Sequence, residues 1–183
     1  MKTAFIIHGT YGSPEENWFP WMKKNLELLD YDVIVPKLPT PEGQNLDNWL
    51  QVFSNYKDKL NQDSIFIGHS LGASFILTLL ETNNVKAVFL ISGFIGPLNN
   101  PQFDILNRSF TEKKFDWEII RKNCNIFFVY HSDNDPYIPV EKAEELAHNL
   151  GTTLIVIENA GHFNEKAGYN QFPELLKKIK ELN

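Results

Sequence analysis

The chain has 183 residues, a formal net charge of −6 and a sequence pI near 5.4. An acidic balance argues against a nucleic-acid-binding surface and against a polybasic membrane anchor. Apolar residues make up 43% and charged residues 22%, which is typical of a soluble globular protein. The length suits one domain over residues 1–183 with a substantial core.

The cysteine content and the N-terminal sequence indicate the cellular compartment of the protein. The single cysteine, Cys124, excludes an internal disulfide and favours a reducing compartment. The apolar run at residues 3–7 is too short for a secretory signal, and no segment approaches the length of a membrane span. We therefore expect a cytoplasmic monomer or small homo-oligomer with neither nucleic-acid nor membrane partners.

Short apolar runs alternate with longer amphipathic stretches along the chain. This alternation predicts six strands, at residues 3–8, 32–35, 64–67, 87–92, 125–130 and 154–157. It predicts helices at residues 14–29, 46–60, 71–81, 116–122, 140–149 and 172–182. The segment 93–123 has no clear strand–helix alternation, and there we expect a loop followed by the short helix at 116–122.

The predicted strands are apolar throughout, as in the Ala-Val-Phe-Leu-Ile run at residues 87–91. Continuous apolarity indicates that both faces of the sheet are covered. Strands of this kind, alternating with helices, predict an α/β fold. We expect a doubly wound, mostly parallel six-stranded sheet with helices on both faces and right-handed crossovers.

Residues 68–72 have the sequence Gly-His-Ser-Leu-Gly, which fits the G-x-S-x-G nucleophile elbow. A strand that turns directly into a helix holds the central Ser70 in a strained conformation with its hydroxyl exposed. Side chains at positions 68 and 72 would collide with neighbouring elements, so both are glycine. The alternative is a glycine-rich turn that carries a buried serine.

The C-terminal ends of parallel strands share one edge of the sheet, where ligands bind. Asp133 and Asp135 follow the fifth predicted strand, and His162 follows the sixth, so the chain order is serine, acid, histidine. His162 would act as general base, unless it is an ordinary surface-loop histidine. Asp135 is the favoured acid because Pro136 biases it towards an extended backbone, which leaves Asp133 as a turn-former.

An oxyanion hole needs two backbone N–H groups. One would come from Leu71, after the nucleophile, and the other from Thr10 in the glycine-containing loop at residues 8–13. That loop is otherwise an ordinary tight turn, and the phosphate-binding glycine motifs are absent from it. We expect His8 and His69 to hold loops, and no pair of histidines has convincing metal-ligand spacing.

Five segments carry a family signature: residues 17–27, 67–73, 117–124, 132–139 and 161–163. Through them the chain resembles the α/β-hydrolase superfamily. The narrower resemblance is to the compact serine hydrolases that include the retinoblastoma-binding serine hydrolase and YdeN-like proteins. The resemblance implies a triad of Ser70, Asp135 and His162 on a minimal hydrolase fold with little or no cap.

The expected activity is hydrolysis of small acyl esters, thioesters or activated amides through an acyl-serine intermediate, without a cofactor. Aromatic residues that would line the substrate pocket, or equally belong to the core, are Tyr11, Trp18, Phe94, Phe110, Phe115, Trp117 and Phe163. Two alternatives remain. One is a protein-binding module on a hydrolase fold, with a protein partner and little turnover. The other is an acyl transferase or perhydrolase that uses the same triad.

Overall fold

A computed structural model describes residues 2–182 and contains a six-stranded sheet in the order β2-β1-β3-β4-β5-β6. Every neighbouring pair of strands in this sheet is parallel. The strands are β1 (Thr3–Ile7), β2 (Asp32–Ile34), β3 (Ile65–His69), β4 (Ala87–Ile91), β5 (Phe127–Ser132) and β6 (Leu154–Ile157). The predicted fold class is confirmed.

Helices connect the strands and cover both faces. They are α1 (Phe19–Glu27), α2 (Leu46–Phe53), α3 (Leu71–Leu80), α4 (Pro101–Thr111), α5 (Trp117–Asn123), α6 (Val140–Leu150) and α7 (Pro173–Lys180). Short 3₁₀ segments follow at Ser54–Lys59 and at Glu165–Ala167. Among residues 2–182, none of the helices combines the length and the apolarity that a membrane crossing requires.

Successive side chains of a strand point to opposite faces, so each strand contributes to two apolar layers. Ala4 and Ile6 of β1 pack in the layer that contains α1 and α7, which we call the α1/α7 layer. Phe5 and Ile7 pack in the layer that contains α2 to α6, which we call the α2–α6 layer. The continuous apolar strands predicted from the sequence therefore bury both of their faces, and β1, β3 and β4 are buried at every position.

Helix α4 is the main element that the sequence pattern missed, since we expected a loop there. Its buried residues are Asn107, Phe110 and Thr111, so two of the three are polar and the apolar stripe is too narrow to show a helical period. A start signal was nevertheless present, because Asn100 caps the helix and Pro101 occupies its first turn. Helix α4 lies against α3, beside the C-terminal edge of the sheet.

Several predicted boundaries also differ from the structure, most of all in α1 and α2. Helix α1 begins at Phe19 rather than at residue 14, because Asn17 has φ 54° and cannot be helical. Helix α2 gives way to a 3₁₀ segment after Phe53 instead of continuing to residue 60. Strand β5 starts two residues later than predicted and extends through Ser132.

Candidate active site

Ser70 occupies the turn between β3 and α3. Its backbone has φ 54° and ψ −123°, a conformation that a residue with a side chain rarely adopts. Its N–H donates to the carbonyl of Ile91 at 2.9 Å, which ties the turn to the end of β4. The strained turn predicted from the pentapeptide is therefore present, and Ser70 is partly exposed at the edge of the sheet.

The glycines on either side of Ser70 are explained by space. A Cβ at position 68 would lie 2.5 Å from Ile76 Cδ1 and 3.1 Å from the backbone nitrogen of Ala73. A Cβ at position 72 would overlap the carbonyl oxygen of Ile7, and it would lie 2.8 Å from that of His8. Glycine therefore lets α3 pack directly on the end of β1, as expected.

Asp135 and His162 are far apart in sequence and meet at this edge. His162 Nδ1–H donates to Asp135 Oδ2 at 2.8 Å. The same carboxylate accepts from Ser92 Oγ at 2.7 Å and from the backbone N–H groups of Tyr137 and Ile138 at 2.9 and 3.2 Å. The Asp135 side chain is 0% exposed and that of His162 is 10% exposed.

The electrostatics of Asp135 result from two opposed effects. Burial alone would raise the pKa of its carboxyl group. The hydrogen bond and charge of His162, together with the Tyr137 N–H and the Ser92 hydroxyl, outweigh burial and lower the pKa below its ordinary value. Asp135 is therefore ionised at neutral pH and stabilises a positive charge on His162.

Asp133, the other candidate acid, has a different partner. It is exposed, and its Oδ1 accepts the backbone N–H of Asn159 at 2.7 Å. This bond links the loop after β5 to the loop after β6. Asp133 therefore organises the loops, and the carboxylate paired with His162 is that of Asp135.

Ser70 and His162 line the same cavity. Within residues 2–182, Ser70 Oγ makes no hydrogen bond to another residue. Because His162 donates through Nδ1, its Nε2 is left as an acceptor that faces no competing donor in the described chain. Catalytic hydrogen bonds are often loose without substrate and tighten in the reactive complex.

A hydrogen bond from His69 holds the backbone of the loop that carries His162. The Nε2–H of His69 donates to the carbonyl of His162 at 2.8 Å, and the two rings are 4.7 Å apart. Burial, and then the charge of His162, lower the pKa of His69 to about 3. His69 is therefore neutral at ordinary pH and holds a loop, as the sequence suggested.

The segment before α1 fixes the other end of this loop. Trp18 Nε1–H donates to the carbonyl of Phe163 at 3.0 Å. Asn17 and Glu165 exchange two hydrogen bonds, each 3.0 Å long, in which the backbone N–H of one residue donates to the side chain of the other. Sequence reasoning missed this clamp because no local pattern relates positions 148 residues apart.

The loop after β1 approaches Ser70 closely. A Cβ on Gly9 would lie 2.7 Å from Ser70 Cβ, so only glycine fits. His8 accepts the N–H of Leu38 through Nε2 at 3.1 Å and donates through Nδ1 to the Gly9 carbonyl at 2.9 Å. Thr10 lines the cavity, and Leu71 is the first residue of α3. Of the two predicted oxyanion residues, Leu71 directly follows Ser70, and Thr10 lines the same cavity.

A buried polar network supports Thr10 from behind. Thr10 Oγ1 donates to Asn107 Oδ1 on α4 at 2.7 Å, and Gln44 Nε2 donates to the same oxygen at 2.7 Å. Thr40 Oγ1 in turn accepts the backbone N–H of Tyr11 at 2.7 Å. None of these supporting residues was predicted, because Asn, Gln and Thr at scattered positions form no recognisable motif.

The cavity has a volume of about 360 Å³. Its lining residues are Gly9, Thr10, Tyr11, Glu16, Asn17, His69, Ser70, Phe94, Leu98, Phe103, Asn107, Tyr137, Ile138, His162, Asn164, Glu165 and Lys166. Its α4 side is mostly apolar, whereas the side formed by the loop before α1 and the His162 loop is polar. This size is within the usual range of small-molecule sites.

Of the seven aromatic residues predicted to line a pocket or belong to the core, Tyr11 and Phe94 line the cavity. Phe110 is buried in the α2–α6 layer, and Phe115 packs against that layer. Trp18 and Phe163 are instead wholly buried in the α1/α7 layer, where both pack against Phe172. Trp117 begins α5 and packs on Phe115 and the α2–α6 layer, outside the cavity lining. Most of these large aromatic side chains are buried in the core and do not line the cavity. Their positions in the sequence do not show which of the two places each side chain occupies.

The remaining chemistry-bearing groups do not form a second centre in the described chain. Residues 2–182 contain no group of three or more His, Cys, Asp or Glu side chains that could hold a metal ion. His131 is buried, and its Nε2–H donates to the Ile138 carbonyl at 3.0 Å, while His148 is exposed on α6. Cys124 is buried, and burial raises its pKa to about 11.

Comparison with known proteins identifies the family of the chain. Residues 4–181 match the family described as serine hydrolase. YdeN of Bacillus subtilis (strain 168) is 31% identical over 176 residues, which cover 94% of this chain and 91% of YdeN. The serine hydrolase RBBP9 of Rattus norvegicus is 26% identical over 182 residues, which cover 98% of this chain and 94% of RBBP9.

Solved structures show the same fold. The crystal structure of the ydeN gene product from B. subtilis has a TM-score of 0.91 at 29% identity, and the match covers 100% of this chain and 98% of that one. Est1E from Butyrivibrio proteoclasticus has a TM-score of 0.73 at 18% identity, with 98% and 86% covered, and supports the fold alone. The chain therefore belongs to the serine hydrolase family and has the α/β-hydrolase fold.

Proposed function

We propose that this protein hydrolyses small acyl esters, thioesters or activated amides through an acyl-Ser70 intermediate. One observation supports the proposal most strongly: Ser70, on a strained turn at a helix N-terminus, faces the same cavity as the buried His162–Asp135 pair. A protein that only binds partners does not require these three groups at three separate strand ends.

In the acylation step, Ser70 Oγ attacks the acyl carbon while its proton moves to His162 Nε2. The ionised Asp135 holds the imidazole through Nδ1 and stabilises the imidazolium that forms. The tetrahedral oxyanion accepts hydrogen bonds from the backbone N–H groups of Leu71 and Thr10. The intermediate collapses to acyl-Ser70 as His162 returns the proton to the leaving group.

In the deacylation step, a water molecule replaces the leaving group. His162 takes a proton from this water, whose oxygen attacks the acyl carbon, and Ser70 leaves with the proton that His162 returns. The acid product is thereby released, and the free Ser70 hydroxyl is restored. Hydrolysis is the simplest outcome because its acyl acceptor is water, so no second substrate is needed.

The substrate class follows from the cavity. A volume of about 360 Å³ admits a short acyl group and a modest leaving group. Between β4 and α5 the described chain contains one helix, α4, and the segment before it, and both line the cavity. These residues are too few to form a large lid as well. We therefore place short, water-soluble acyl compounds ahead of long-chain lipids.

The test is hydrolysis of 4-nitrophenyl butyrate by wild-type protein and by Ser70→Ala. The variant should fold normally and lose turnover by at least about a thousandfold, because the acyl-enzyme cannot form without the Ser70 hydroxyl. A fluorophosphonate probe should label the wild type and not the variant. As a matched control, Ser54→Ala changes an exposed serine on the 3₁₀ segment after α2 and should retain full activity. Full activity in Ser70→Ala would refute the proposal.

A further inference from the structure

The hydrogen bonds behind Thr10 run in one direction, and the direction is set at Thr40. Thr40 Oγ1 accepts the backbone N–H of Tyr11, so its single proton goes to Gln44 Oε1, 2.5 Å away. This bond fixes which way the Gln44 amide faces. Its nitrogen is turned towards α4, where Nε2 donates to Asn107 Oδ1 at 2.7 Å.

Two hydrogen bonds likewise fix the orientation of the Asn107 amide group. Its Oδ1 accepts from both Gln44 Nε2 and Thr10 Oγ1, each at 2.7 Å, so both acceptor positions of that oxygen are used. The side-chain nitrogen must therefore point the other way. Asn107 is only 2% exposed, it lines the cavity, and its Nδ2 has no acceptor among residues 2–182.

Within residues 2–182, His131 Nδ1 is the one side-chain nitrogen or oxygen that is both buried and without a partner. Asn107 Nδ2 is therefore accessible from the cavity, and a ligand that covers it without offering an acceptor leaves it unsatisfied. The other residues that α4 and the segment before it contribute to the cavity, Phe94, Leu98 and Phe103, are apolar. Asn107 Nδ2 is thus an unpartnered side-chain donor on the side of the cavity to which Phe94, Leu98 and Phe103 also contribute. A wall of this kind discriminates strongly, because a ligand without a matching acceptor leaves the donor unsatisfied.

We propose that Asn107 Nδ2 donates a hydrogen bond to an oxygen atom in the acyl chain of the substrate. This inference rests on the proposed hydrolase function and narrows it. The enzyme prefers short acyl groups that carry an ether, hydroxyl or oxo oxygen over plain alkyl acyl groups of the same size. The polar network holds the donor in place, and the apolar wall accommodates the rest of the acyl chain.

The experiment compares 4-nitrophenyl methoxyacetate with 4-nitrophenyl butyrate, which differ by an oxygen in place of a methylene. For each protein we divide kcat/KM for the methoxyacetate by kcat/KM for the butyrate. The intrinsic reactivities of the two esters then cancel when this ratio is compared between proteins. Asn107→Asp keeps an oxygen for Thr10 and Gln44 and replaces the donor by an acceptor. The ratio should fall about tenfold relative to wild type, as expected for loss of one hydrogen bond.

Asn45→Asp is the matched control. It makes the same change of charge at the N-cap of α2, outside the cavity lining, and should leave the ratio unchanged. Asn107→Ala, which removes the donor without adding charge, should also lower the ratio, and it replaces Asn107→Asp if that variant does not fold.

An equal loss on both esters in the Asn107 variants, with the ratio unchanged, would overturn the inference and leave the hydrolase function standing. Asn107 would then serve the oxyanion loop alone. If Ser70→Ala hydrolysed both esters as fast as wild type, the hydrolase function would fail, and the inference would fail with it.

Discussion

At the scale of single residues, the site depends on the charge of Asp135. Its carboxylate is sealed from solvent yet accepts four hydrogen bonds, from His162, Ser92, Tyr137 and Ile138. These donors compensate the cost of burying a charge and fix the carboxylate relative to the imidazole. The sequence predicted the pairing of Asp135 with His162, but it contained no sign of the Ser92 hydroxyl.

We predict that Asp135→Asn lowers kcat for 4-nitrophenyl butyrate on the order of a thousandfold while the fold is retained. Asparagine has nearly the same shape, but it is neutral and cannot stabilise the imidazolium form of His162. Asp133→Asn is the matched control, because Asp133 is exposed and bonds to a loop backbone. Comparable losses of kcat in the two variants would contradict the assignment of the acid.

The lowered pKa of Asp135 also links its charge to stability. A group whose pKa is lowered by folding stabilises the protein above its unfolded pKa, and this contribution is lost as pH falls through the lower, folded value. The ordinary pKa of an aspartate carboxyl group is 3.8, so at pH 6 the carboxylate is ionised and its stabilising effect is fully present. At that pH the wild type should have a higher free energy of unfolding than Asp135→Asn. That difference should shrink below about pH 3.8 in urea titrations, and a difference that grew instead would contradict the shift.

At the scale of elements, the strands were easier to predict than the walls of the site. Each strand is a continuous apolar run, and all six were found with boundaries within two residues of the structure. Helix α4 escaped notice because it places Asn107 and Thr111 inward, where a helical period would show apolar residues. Polar residues face inward here because they build the site, so the functional requirement itself hides the helix from a hydrophobic pattern.

We predict that Asn100→Ala lowers stability by about 1 kcal/mol, since its side chain caps α4 by accepting the N–H groups of Gln102 and Phe103. It should also raise KM for 4-nitrophenyl butyrate, because the first turn of α4 carries Phe103 into the cavity wall. Urea unfolding and ester kinetics measure the two effects.

Asp116→Ala is the matched control for this prediction. Asp116 caps α5 by accepting the N–H of Ile119, so its loss should cost a similar free energy of unfolding. Helix α5 contributes nothing to the cavity lining, and KM should stay unchanged. If both variants changed KM equally, α4 would have no special part in forming the site.

At the scale of the whole molecule, the two apolar layers support different parts of the site. Leu71, which follows Ser70, and Phe94, which lines the same cavity, belong to the α2–α6 layer. Ala160 and Phe163, on either side of His162, belong to the α1/α7 layer. The sheet between the layers brings nucleophile and base together at its edge. The sequence predicted this convergence because parallel strands place all their C-terminal ends on one side.

One large-to-small substitution in each layer tests this division. Phe172 is fully buried before α7 and stacks on Phe163, with ring centroids 5.3 Å apart. Phe53 is equally buried at the end of α2 and packs on Phe5 and Phe66, away from the cavity. Phe172→Ala and Phe53→Ala should each lower the free energy of unfolding by about 3–5 kcal/mol.

Their effects on turnover should differ, because only Phe172 supports the loop that carries His162. At a temperature where circular dichroism shows both variants folded, Phe172→Ala should lower kcat for 4-nitrophenyl butyrate, whereas Phe53→Ala should retain it. The reason is geometric: a cavity beneath Phe163 lets the imidazole shift relative to Ser70, and small displacements of a general base are costly in rate. Equal kcat values in the two folded variants would mean that the hydrogen bonds from His69 and Trp18 hold this loop without help from the core.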